Sequence, residues 1–78
     1  MLSEADATAG WTLRVHPREG TSLVRTMYRR QLSVWEDGNL YQFNVDTETT
    51  TLKWGRRATI AAAKLAAEKA ARPAPVTD

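Results

Sequence analysis

One dipeptide constrains this chain more than any other. Asp37-Gly38 lies between two stretches in which apolar and polar residues alternate. A type I′ hairpin turn needs positive φ at both central residues, and Asp-Gly adopts it at little cost. The alternation on either side has the period of a strand. Such a turn pairs Glu36 with Asn39 and Trp35 with Leu40. It goes on to pair Val34 with Tyr41, Leu32 with Phe43 and Arg30 with Val45. A slip of one residue would set Leu32 against Gln42 and mix the two faces.

The flanking sequence extends the sheet. A turn at Thr47-Glu48 pairs Val45 with Thr50, Phe43 with Leu52 and Tyr41 with Trp54, which predicts a strand over about 49–54. Two hairpins then agree on the inward rows: Val34, Tyr41 and Trp54 in one, Leu32, Phe43 and Leu52 in the next. Upstream, about Val24 to Trp35 reads as one long strand rich in β-branched and aromatic residues. A further strand over 11–15 points Trp11, Leu13 and Val15 inward. Pro17 ends it, and 16–22 reads as a loop bent at Gly20. Arg30 falls at an inward position, explained either by a bulge near Arg29-Arg30 or by a side chain that snorkels past the helix end.

Gly55 breaks the strand, and after it the pattern changes. Residues 57–72 have the composition of a strong helix, capped by Thr59 or Gly55 and stopped by Pro73. Ile60, Ala63, Ala66, Ala67 and Ala70 share one side. Lys64, Glu68 and Arg72 form an i, i+4, i+8 ladder on another. The expected fold class is α+β: a three- to four-stranded antiparallel meander with one C-terminal Ala-rich helix packed on one face. Residues 1–10 and 73–78 read as tails around a single domain over 11–72.

Seventy-eight residues allow one modest core, worth about 3–5 kcal/mol without staples. There is no cysteine and only one histidine, so no disulfide, thiol nucleophile or zinc cluster is expected. His16 sits beside Pro17 in a loop, and Glu36-Asp37 are turn residues. Neither points to catalysis, and no Gly-rich phosphate loop is present. The expectation is a non-enzymatic binding module with no metal, no cofactor and no small-molecule substrate. No apolar run approaches the roughly 20 residues of a membrane span, and the acidic N-terminus is unlike a signal peptide. A cytoplasmic location follows, in the host cell if the chain is phage-encoded.

Charge gives the leading functional expectation. Residues 11–72 hold all eleven Lys and Arg but six of the nine acids, a net +5. In the register above, the outer sheet face shows Arg14, Arg25, Arg29, Gln31, Gln42, Asn44 and Lys53 with no acid in the ladder. Arg56 and Arg57 stand beside it at the helix entry. These side chains contact phosphates and base edges, so the face is expected to bind nucleic acid, duplex DNA in particular. The alternative is a protein-interaction module that self-associates or binds a host protein through Trp35 and Leu65, which fall outside the predicted core. Polar solvent-facing strands would account for the same pattern without any ligand.

A three-stranded antiparallel sheet followed by one packed helix, joined through Gly55-Arg56-Arg57-Ala58-Thr59, resembles the arm-site DNA-binding domain of phage tyrosine-recombinase integrases. The likeness covers about residues 24–72 and implies a sheet laid in the major groove. In size and in its GRRATIAAAKLAAEKAAR helix the chain also resembles short actinobacteriophage proteins of unknown function.

Overall fold

The computed structural model describes residues 2–18 and 20–73. They form an α+β fold with a five-stranded antiparallel sheet and one C-terminal helix. The strands are β1 (Thr12–His16), β2 (Gly20–Met27), β3 (Arg30–Asp37), β4 (Leu40–Asp46) and β5 (Thr51–Arg57), in the spatial order 1-2-3-4-5. The helix, α1 (Ile60–Ala71), packs on β3, β4 and β5.

The fifth strand corrects the three to four expected. The stretch from Val24 to Trp35 is not one strand but parts of two, folded back at Tyr28-Arg29. Both residues hold positive φ, 53° and 62°, as a type I′ turn requires. Neither is glycine or asparagine, so the turn carries no sequence signature. It costs roughly 1–2 kcal/mol per residue in the left-handed region. The ladder it closes, from Leu23–Val34 to Met27–Arg30, offsets that cost.

The second correction is in register. At the β3–β4 hairpin the turn is centred on Gly38-Asn39, with Asp37 paired to Leu40. Only Gly38 has positive φ, 64°, the arrangement of a type II′ turn. Every partner moves by two residues, so Val34 faces Phe43 and Leu32 faces Val45. An even shift leaves the faces intact.

The β4–β5 hairpin shifts by an odd number instead. The Thr47 amide donates to the Thr50 carbonyl at 2.8 Å. The Thr47 hydroxyl oxygen accepts from the amides of Thr49 and Thr50 at 3.3 and 3.1 Å. This closes a four-residue loop where two were expected. A register irregularity at Val45/Asp46 follows and leaves Leu52 outside the pairing. Val45 therefore faces Lys53, and Phe43 faces Gly55. Trp54, expected in the core, is turned to the outer side and is 56% exposed. Gly55 does not break the strand; it makes room for Phe43, since a Cβ there would lie 2.9 Å from Phe43 Cε1.

The core is Leu23, Leu32, Val34, Phe43 and Val45 of the sheet against Ala63, Ala67 and Ala71 of α1. Alanine at every fourth position lets the helix lie close to the sheet. Thr59 caps its N-terminus by accepting from the Ala62 amide at 3.1 Å. At the other end the Arg30 guanidinium donates to the Ala71 carbonyl. Arg30 thus reaches past the helix and satisfies one of its orphan acceptors.

The first residues are packed as well. Leu2 and Trp11 are buried, and a 3-10 turn spans Glu4–Asp6. Lys64 does not join a ladder with Glu68; its ammonium donates to the Asp6 carbonyl and lies over the Trp11 ring, 5.9 Å from the centroid. Glu68 instead accepts from Arg25 and, at 3.2 Å, from Trp11 Nε1. Val15, expected inward, is 71% exposed. Of the predicted C-terminal tail, residues 74–78 lie outside the described residues.

Candidate functional site

The helix covers one face of the sheet and leaves the other open. Pairing fixes what the open face displays. One row is Arg14 opposite Ser22 on β1 and β2, and Trp35, Gln42 and Arg56 on β3, β4 and β5; Ser22 and Trp35 lie one residue beyond the last β2–β3 pair, Leu23–Val34, and line one cleft. The next is Thr12, Val24, Ser33, Asn44 and Trp54. Four interstrand spacings make this belt roughly 19 Å wide. It contains no carboxylate.

Acids border the belt and are engaged. Asp37 accepts from Arg56 Nε at 2.6 Å, and Asp46 accepts from the Thr51 hydroxyl at 2.6 Å. The Arg56 guanidinium also lies over the Trp54 ring, 5.4 Å from its centroid, which fixes the ring while leaving it open to solvent. Gln42 Nε2 donates to Asn44 Oδ1 at 3.2 Å, so the two central amides are ordered toward each other. Around Trp35, the small residues Gly20, Ser22, Val24 and Ser33 open a shallow cleft of about 380 Å³, with Arg14 and Gln31 at its rim.

The structure redistributes the residues that the sequence assigned to one site. Arg14, Gln31, Gln42 and Asn44 are on the open face as expected, and Arg56, expected beside it at the helix entry, is in β5 opposite Gln42 on the same face. Arg25 is not: it stands opposite Leu32 on the helix side and forms an ion pair with Glu68. The fold back at Tyr28-Arg29 inverts the parity of β2 relative to the single long strand, and that carries Arg25 across. Arg29 lies in the turn itself. Lys53 and Arg57 also face the helix side, opposite Val45 and Tyr41, because of the odd shift at the β4–β5 hairpin. Trp35 is on the open face and Leu65 on the helix that covers the opposite one, so the two do not form one interface.

Trp54 is the belt residue that sequence reasoning missed. The signal that could have found it is the pair Thr47 and Thr50, whose side-chain and backbone bonds lengthen the loop and flip the strand.

Among the described residues, no group of His, Asp or Glu could hold a metal ion. None of their helices is long and apolar enough to cross a membrane. No family model, curated protein or solved structure matches the chain, so neither likeness drawn from the sequence gains a relative.

Proposed function

We propose that the protein is a non-catalytic module that binds single-stranded nucleic acid across the open face of its sheet. The observation that carries this reading is the belt: two tryptophans in adjacent rows, amides between them, arginines at both ends and no carboxylate within it. Unstacked bases pack on aromatic side chains whatever their sequence, and amides read their polar edges. The belt favours a single strand over a duplex, because at roughly 19 Å it is wider than the ~12 Å major groove. Arg56 is already paired with Asp37, which leaves Arg14 as the belt cation without an ion pair among the described residues. Stacking then supplies more of the affinity than charge.

The test is fluorescence anisotropy with a labelled oligothymidylate of about four nucleotides, the lower end of known single-strand site sizes. Binding is expected with a shallow salt slope of about −0.7 to −1.4, one or two phosphates. Trp54→Ala is expected to lose about 1–3 kcal/mol of binding, and a duplex of the same length to bind more weakly. Absence of binding at low salt, or full affinity in Trp54→Ala, defeats the reading.

A further inference from the structure

A second feature stands on the other side of β5. Between β5 and α1 a groove of about 470 Å³ is walled by Lys53, Arg57 and Lys69 and floored by Phe43, Leu52 and Ala70. Among the described residues, no carboxylate lines it. Four of the other eight cations are engaged: Arg25 with Glu68, Arg56 with Asp37, Arg30 with the Ala71 carbonyl and Lys64 with the Asp6 carbonyl. Lys53 and Lys69 form no ion pair among the described residues. Arg57 donates to the Arg56 carbonyl at 2.7 Å and lies over the Phe43 ring, 5.2 Å from the centroid.

A single lysine on an edge strand is explained by protection against strand pairing. Three cations around one groove, two from the edge and one from the helix, are not, because their mutual repulsion opposes folding and no acid among the described residues lines the groove to relieve it. An anion bound among them would. β5 is the edge of the sheet, so its outer side shows Trp54 and Arg56 while its inner side shows Lys53 and Arg57. A chain leaving the belt at that edge meets cations at once on turning round it.

We propose that this groove binds the phosphodiester backbone of the nucleic-acid strand as it passes the β5 edge. The identity of the ligand rests on the reading of the belt; the groove rests on its own geometry. The total footprint is then longer than the belt, and the groove contributes charge where the belt contributes stacking.

Two oligothymidylates separate the sites, one of about four nucleotides and one of about twelve. The variant is Lys53→Ala with Lys69→Ala, both exposed and outside the core. Removing two phosphate contacts on a single strand is expected to flatten the salt slope by about 1.4 and to lower twelve-mer affinity about 25-fold at 0.1 M salt. Four-mer binding is expected to be unchanged. Lys53→Arg with Lys69→Arg keeps the charges and is expected to keep twelve-mer affinity, which controls for damage to the fold. Inorganic polyphosphate is expected to displace the twelve-mer from the groove, and polyglutamate is not.

Equal affinity of the double alanine variant for the twelve-mer, or an equal loss for both lengths, overturns the groove. So does displacement by polyglutamate alone, which would make it a site for acidic peptide. Failure of the belt reads differently: the native protein would hold the twelve-mer through Lys53 and Lys69 and ignore the four-mer.

Discussion

Gly55→Ala is the sharpest test of the β4–β5 register, because the two possible alignments predict opposite signs. In the observed pairing Gly55 stands opposite Phe43 on the core face. A Cβ there would lie 2.9 Å from Phe43 Cε1 and 3.0 Å from Cζ, against an optimum of about 3.5–4.0 Å for carbon pairs. Phe43 is 1% exposed and held by the buried residues around it, so its ring has nowhere easy to go. Overpacking of this kind costs about 1–3 kcal/mol. Gly→Ala in an unstrained strand gains about 0.4–1 kcal/mol from the unfolded state. The net expectation is a loss of roughly 1–2 kcal/mol, which for a domain this size lowers Tm by roughly 4–16 °C. Urea unfolding followed by circular dichroism measures it. Phe43→Leu shortens the opposing side chain, so the double variant should recover part of the loss, with a coupling of about 1 kcal/mol. If Gly55 were a strand breaker away from the core, alanine would stabilise and the two substitutions would add. Either result refutes the register.

Replacing Tyr28-Arg29 by Asn-Gly supplies residues suited to positive φ and is expected to raise stability by about 1–2 kcal/mol, seen as a higher urea midpoint at unchanged m. Arg30→Ala leaves the Ala71 carbonyl without its guanidinium and is expected to cost about 1–2 kcal/mol, by the same assay. Trp54→Ala removes an exposed side chain and is expected to change stability by less than about 0.5 kcal/mol while oligothymidylate affinity falls, so a variant that unfolds would show Trp54 to be structural. Both sheet edges carry cations, Arg14 on β1 and Lys53, Arg56 and Arg57 on β5, and antiparallel self-pairing would bring like charges together. Sedimentation equilibrium is therefore expected to give a monomer, and a salt-resistant dimer would contradict this account of the edges.

Much of the architecture was legible because it rests on period and composition. Alternation marked the strands, and the alanine stripe with its Thr59 cap marked the helix. The missing strand left one trace. Twelve residues from Val24 to Trp35 exceed the roughly 3–10 usual for a strand. No turn residue marks the fold back, because tertiary contacts rather than local preference hold Tyr28 and Arg29 at positive φ. Arg30 is the clearest of these contacts: its bond to the Ala71 carbonyl joins the new turn to a helix end more than 40 residues away. The packing of Leu2 was invisible for a similar reason, since a lone apolar residue in an acidic segment has no period.

The site was less legible than the fold, and the cause is parity. A strand register wrong by two residues keeps every side chain on its face, whereas an error of one or three exchanges the faces. The β3–β4 shift was even, and Gln42 and Asn44 stayed where the sequence put them. The β4–β5 shift was odd, so Trp54 came out while Lys53 and Arg57 went in. Core residues tolerate this better than surface ones, because the helix has only to find apolar groups on one side. Gly55 lets it do so: with no side chain of its own, it leaves room on the core face for the Phe43 ring opposite. A binding surface has no such slack, because each of its side chains must be on the right side of the sheet. The same odd shift that took Lys53 off the expected basic face placed it with Arg57 and Lys69, and so turned that one face into an aromatic belt and a separate cationic groove along a single edge strand.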